Sequence, residues 1–267
     1  MKKLLFFSLL IIISLVFILS SCGDPYKGDY REATGQEKLN AISTIKGLKG
    51  VGSTDRSNIE IEGKSNSLLK RDGKEYTAAA TNYELYDYSD SSRTLIYSKI
   101  TNKVMEGKSE IYSSIMEFWF IPSEETLYLS YVVNGNNVAI GYTKNISNEL
   151  FDNLFLLGKD FSPITLSESL SNKGTSLFVS GDDKFRIDYS DGEETNSSTY
   201  ISILSGKDFV AKKSSFINQG SDYTTNVYEE MFETSDKVKL PNLAVFGKEY
   251  SSSDVLAITQ NAYSPEE

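Results

Sequence analysis

The stretch from Glu110 to Thr143 constrains the fold most, because its apolar residues recur at every second position rather than every third or fourth. Tyr112, Met116, Phe118 and Phe120 fall on one face of an extended chain, and Ile111, Ile115, Trp119 and Ile121 on the other. A strand that is apolar on both faces belongs inside a covered sheet. Pro122-Ser123-Glu124-Glu125 turns the chain and Thr126 to Val133 returns. Asn134-Gly135 then marks a two-residue hairpin, since both residues tolerate the positive φ such a turn requires. Val138, Ile140 and Tyr142 supply a third strand. The expectation is an antiparallel meander at the centre of the domain.

The same alternation begins at Ile59 and, with one interruption, runs to Phe246. Strands are expected over Ile59–Ile61, Ser67–Lys70, Glu75–Tyr88, as two strands or one bent at Ala78–Asn82, and Thr94–Ile100, with Arg71-Asp72-Gly73-Lys74 as a turn. Further strands follow over Thr175–Ser180, Lys184–Tyr189, Thr199–Leu204, Asp208–Lys212, Tyr223–Phe232 and Leu243–Phe246. Asp254–Gln260 reads as a strand or a helical turn. One helix precedes this pattern and another interrupts it. Thr34 with Glu37 three residues on forms a capping box ahead of Leu39, Ile42 and Ile45, and Ser147 caps Leu150, Phe151, Leu154 and Phe155, with Gly158 just past the end. The fold class is therefore mainly β, an antiparallel β-sandwich or a curved barrel-like sheet with one or two packed helices. Ser67-Leu68-Leu69, Asp87-Tyr88-Ser89-Asp90 and Ser109-Glu110-Ile111-Tyr112 return in order as Ser176-Leu177-Phe178, Asp188-Tyr189-Ser190-Asp191 and Ser221-Asp222-Tyr223, which raises an internal duplication.

The residue inventory narrows the chemistry. The chain has no histidine and one cysteine, Cys22, so Ser-His-Asp triads, His or Cys zinc sites and internal disulfides are excluded. Its formal net charge of −10 argues against nucleic acid as a partner.

The N-terminus carries an address. Met1-Lys2-Lys3 is followed by an apolar run from Leu4 to Leu19, the pattern of a secretory signal peptide. As a helix this run spans roughly 24 Å against about 30 Å of hydrocarbon, which is short for a membrane span. Leu19-Ser20-Ser21-Cys22 resembles the lipobox of bacterial lipoproteins. The resemblance covers residues 1–22 and implies cleavage between Ser21 and Cys22, a diacylglyceryl group on the Cys22 sulfur, and attachment to a bacterial membrane at its periplasmic face or outer surface. Acyl chains contributing about 0.8 kcal/mol per methylene would make that attachment lasting. The implied organisation is a signal peptide over 1–21, a lipidated tether over 22–33 and a single β-rich domain over 34–267. Partners would be the bilayer and an envelope, host or small-ligand partner.

Three groups of residues are candidates for chemistry. Asp188, Asp191 and Glu193, around Gly192, offer oxygen ligands for calcium, although the same residues serve turn geometry and solvation. Glu117 beside Trp119, with Glu124 and Glu125 at the next turn, has the components of a glycosidase without fixing two carboxyls at a working separation. Tyr112, Phe118, Trp119 and Tyr131 would line an aromatic cavity for an apolar or glycan ligand, and they suit the interior of a sheet equally well. The function expected is a membrane-anchored, non-enzymatic lipoprotein presenting a β domain for interaction with another macromolecule, or alternatively a carrier or receptor using that cavity.

Overall fold

The computed structural model describes residues 24–263 except 54, 91, 92, 193 and 221, with backbone alone over 261–263. Cys22, Ser21 and the rest of the expected signal sequence lie outside the described residues, as does Glu193.

The hairpin chemistry of the sequence is realised directly. Asp72-Gly73 and Asn134-Gly135 both adopt positive φ, at 53° and 74° and at 48° and 79°. They join β2 (Ile59–Arg71) to β3 (Lys74–Asp87), and β6 (Thr126–Val133) to β7 (Asn136–Lys144), with β4 (Leu95–Glu106) and β5 (Ser109–Ile121) between. A second meander comprises β8 (Thr175–Ser180), β9 (Lys184–Ser190), β10 (Thr195–Ile203), β11 (Phe209–Asn218) and β12 (Tyr223–Glu233). β12 pairs with β2, and a two-residue β1 (Arg31–Glu32) pairs with β8. The result is one antiparallel sheet of twelve strands in the order β1-β8-β9-β10-β11-β12-β2-β3-β4-β5-β6-β7. It is a curved open sheet rather than a sandwich. Flat, it would be roughly 50 Å wide, yet Ala139 of β7 and Val179 of β8 belong to one buried cluster.

The inner face follows from the register. Leu129, Phe118, Ser98, Glu84, Ile61, Met231, Ala211, Ile201, Phe185 and Val179 stand side by side across ten strands, and all are buried. Four helices cover this row: α1 (Gly35–Lys46), α2 (Asn148–Leu154), α3 (Leu156–Asp160) and α4 (Pro163–Ser169). α1 has the expected capping box of Thr34 and Glu37. Its buried stripe is Ala41 and Ile45, whereas Leu39 is 63% exposed, so the expected apolar face is rotated. Gly158 sits within α3 instead of terminating a helix. A Cβ at that position would lie 2.9 Å from Cζ of buried Tyr86, so glycine lets the helix approach the sheet.

Other expectations change in extent. β2 and β3 are each continuous, Leu243–Val245 is a short 3-10 turn, and α5 (Ser252–Tyr263) is a helix. The duplicated triplets do not occupy equivalent positions. Leu177 pairs with Ile187 on the buried face, while Leu68 alternates with inward-facing Ser67 and points outward. Ser109 opens the fourth strand of its meander, while Tyr223 opens the fifth of the other.

Candidate functional site

Two chain segments lie on the outer face of the sheet. After β12, residues 235–239 pass over Tyr83, Leu85, Tyr97, Glu117 and Trp119 around a cavity of about 480 Å³. Val238 donates its N–H to Asp87, and Phe246 meets the rings of Trp119 and Tyr128 edge-on at 5.8 and 5.7 Å. The strap then pairs with the β7 edge, Tyr142 donating to Lys248 O at 2.9 Å and Tyr250 to Tyr142 O at 2.8 Å. That contact covers an edge that would otherwise offer free backbone groups.

The N-terminal segment covers the other half of the outer face. There Arg186, Tyr200, Lys212, Glu230 and Glu62 align across β9, β10, β11, β12 and β2. Tyr26 is 5% exposed, its ring 4.5 Å from Lys212 Nζ and its hydroxyl bonded to the Glu230 carboxylate. Burial and that neighbouring carboxylate raise the phenol far above its ordinary range. Tyr30 stacks edge-on against Tyr200, and Lys184 donates to Lys27 O at 2.7 Å. The stretch expected as a tether is thus bound to the domain from Asp24 through β1.

Next to this docked segment is an open trough of about 850 Å³. Two outward-facing register rows line it. One is Asp188, Ser198, Ser214, Tyr228 and Lys64, and the other Ser190, Asn196, Phe216, Asn226 and Asn66. Phe216 and Tyr228 are 39% and 42% exposed. Small hydroxyls and amides, which both donate and accept, surround two accessible rings. A sugar ring, with its apolar C–H face and hydroxyl rim, matches such a surface.

The residues singled out in the sequence are distributed differently. Tyr112 and Tyr131 do meet, with hydroxyls 3.3 Å apart, and Phe118 lies on their face, but as a fully buried core residue. Trp119 is on the opposite face beneath Phe246, because neighbours on a strand point to opposite sides. No single cavity is formed by these four. Asp188 pairs with Arg186 at 3.2 Å, and Asp191 accepts the N–H of Thr195 at 2.6 Å. Among the described residues no group of three or more acidic side chains converges as a metal site would. Glu117 accepts from Tyr97 at 2.6 Å and Glu124 from Arg93 at 2.9 Å, which commits each carboxylate to a separate partner. Sequence reading missed the trough, whose lining comes from positions 64 and 66, 174 and 176, 188–190 with 196–198, and 214–216 with 226–228. The available signal was outward alternation of Asn, Ser and aromatic residues in the last two of these stretches.

One further titratable cluster lies under the helices. Glu84 accepts from the N–H groups of Leu157 and Gly158, both at 2.9 Å, and from Tyr86 Oη at 2.7 Å. Burial pushes its carboxyl up to about 7 despite those three donors. Lys213 bridges Asp160 at 3.2 Å and Glu229 at 3.3 Å. Burial opposes its charge, and the two carboxylates outweigh burial and hold the ammonium above its ordinary value.

Among the described residues, no helix is long and apolar enough to cross a membrane. No protein-family model and no curated protein matches the chain. Among solved structures, the S-type phycobiliprotein lyase CPES from Guillardia theta is 8% identical over 72% of this chain and 97% of its own, with a TM-score of 0.21. The translocator domain of the autotransporter NalP from Neisseria meningitidis is 8% identical over 73% of this chain and 92% of its own, with a TM-score of 0.17. Likenesses at this level assign neither a fold family nor a function.

Proposed function

We propose that this chain is a bacterial lipoprotein, anchored through acylated Cys22, whose β domain binds a hydrophilic macromolecule without catalysis, using the outer trough. The observation that carries the binding reading is the trough's combination of two exposed rings with hydroxyl and amide neighbours at about 850 Å³. Ligand sites commonly occupy about 300–1,000 Å³. Its open, polar form favours an extended glycan over an apolar cargo. The anchoring reading is supported by the lipobox, Leu19-Ser20-Ser21-Cys22, at the end of the apolar run.

Calorimetric titration of residues 24–267 with a panel of neutral linear tetrasaccharides tests the binding reading. Saturable binding to at least one, lost in Phe216→Ala and Asn226→Ala, is expected. Absence of heat with every member of the panel, or binding indifferent to both substitutions, would remove the trough as the site.

A further inference from the structure

The docked N-terminal segment fixes more than its own position. Tyr26 is held by Lys212 and Glu230 on the outer face, and Tyr30 by Tyr200 beside it. Gly28 runs so close to Ser180 that a Cβ there would lie 2.9 Å from that side chain's Cβ. Four peptide units separate Cys22 from Tyr26. At no more than about 3.6 Å each, they reach at most about 14 Å. The headgroup layer of one leaflet takes up roughly 5–8 Å of that reach, by difference between the full bilayer and its hydrocarbon core. What remains, roughly 6–9 Å, is less than two interstrand spacings of about 4.8 Å.

We infer that, when Cys22 is acylated, the outer face of β9–β12 lies against the bilayer that holds the anchor, with α1–α4 directed away from it. This rests on the lipoprotein reading above. The apposition follows from the length of chain between the anchor and its docking point and needs no attraction between the face and the lipid. The trough is part of the same arrangement: Tyr228, one of its two rings, donates to the Glu230 carboxylate that Tyr26 also engages. The trough therefore opens toward the headgroups, and the ligands it meets first are those at the membrane surface.

The test uses the full acylated protein in phosphatidylethanolamine and phosphatidylglycerol vesicles carrying a nitroxide quencher on the headgroup. A fluorophore is attached at Ser214→Cys in the trough or at Ile164→Cys on α4, where the native side chain is 64% exposed. The Ser214→Cys label is expected to lose most of its emission and the Ile164→Cys label to keep it. A run of about twelve Gly and Ser residues inserted between Gly23 and Asp24 should restore emission at Ser214→Cys, because such a linker adds roughly 20 Å of mean reach. Equal quenching at the two sites, stronger quenching at α4, or no response to the insertion would overturn the orientation. Sedimentation of the same samples after a salt wash separates the two readings. Protein that leaves the vesicles contradicts the anchor, whereas protein that stays with an unquenched Ser214→Cys label contradicts the orientation alone.

Discussion

Replacing Glu84 with Gln should remove a pH-dependent weakness from the junction between sheet and helices. The carboxylate is fully buried, receives the two α3 N–H groups and the Tyr86 hydroxyl, and titrates near 7. In the unfolded chain it would titrate near its ordinary 4.5. The folded value is the higher one, so the folded state holds the proton more tightly. The resulting stability is complete below pH 4.5 and is lost as pH rises through 7. The interval between 4.5 and about 7, at about 1.4 kcal/mol per pH unit, corresponds to about 3 kcal/mol, most of it lost between pH 5 and 8. Glu84→Gln lacks this titration, although its amide gives up one of the three donors and costs about 1 kcal/mol at low pH. Urea unfolding followed by the fluorescence of Trp119, the single tryptophan, should show the wild type falling relative to the variant from pH 5 to 8. Parallel stability profiles for the two proteins would show that Glu84 does not carry this pH dependence.

Other substitutions examine separate parts of the structure. Gly158→Ala should cost about 2 kcal/mol or more in denaturant unfolding, since its methyl has no space beside Tyr86. Phe118→Ala should cost roughly 3–5 kcal/mol because it opens a cavity in the buried row. Phe216→Ala, on the outer face, should change stability by no more than about 0.5 kcal/mol while abolishing any trough ligand. Gly141→Val would place side-chain atoms 2.9 Å or less from the Tyr250 ring, and should increase amide exchange at Tyr250 by freeing the strap from β7.

Local chemistry was legible in the sequence, and long-range placement was not. Asn134-Gly135, Asp72-Gly73 and the Thr34–Glu37 box are decided by a few adjacent residues, and each formed as expected. The alternation in β5 correctly separated Phe118 from Trp119, but grouping both in one cavity disregarded that separation. Gly63 and Gly158 look like breaks when read along the chain. In the fold Gly63 faces Leu157 and Gly158 faces Tyr86, where helix and sheet come close, relations between residues 94 and 72 positions apart. The strap over 235–250 has no strong period, because its contacts are single side chains and backbone bonds instead of a repeating face. Residues 24–30 look like a polar linker for the same reason, yet two tyrosines suffice to dock them. The trough joins three strand groups through register alone, which alternation within one segment does not encode.

The proposed lipid anchor at Cys22 would place this domain at a membrane. Intact-mass spectrometry of the protein extracted from bacterial membranes addresses it most directly. A chain beginning at Cys22 and carrying the mass of a diacylglyceryl group is expected, with Cys22→Ser left unacylated and released from the membrane. A mature chain beginning elsewhere, or one that starts at Cys22 with an unmodified thiol, would contradict the anchor.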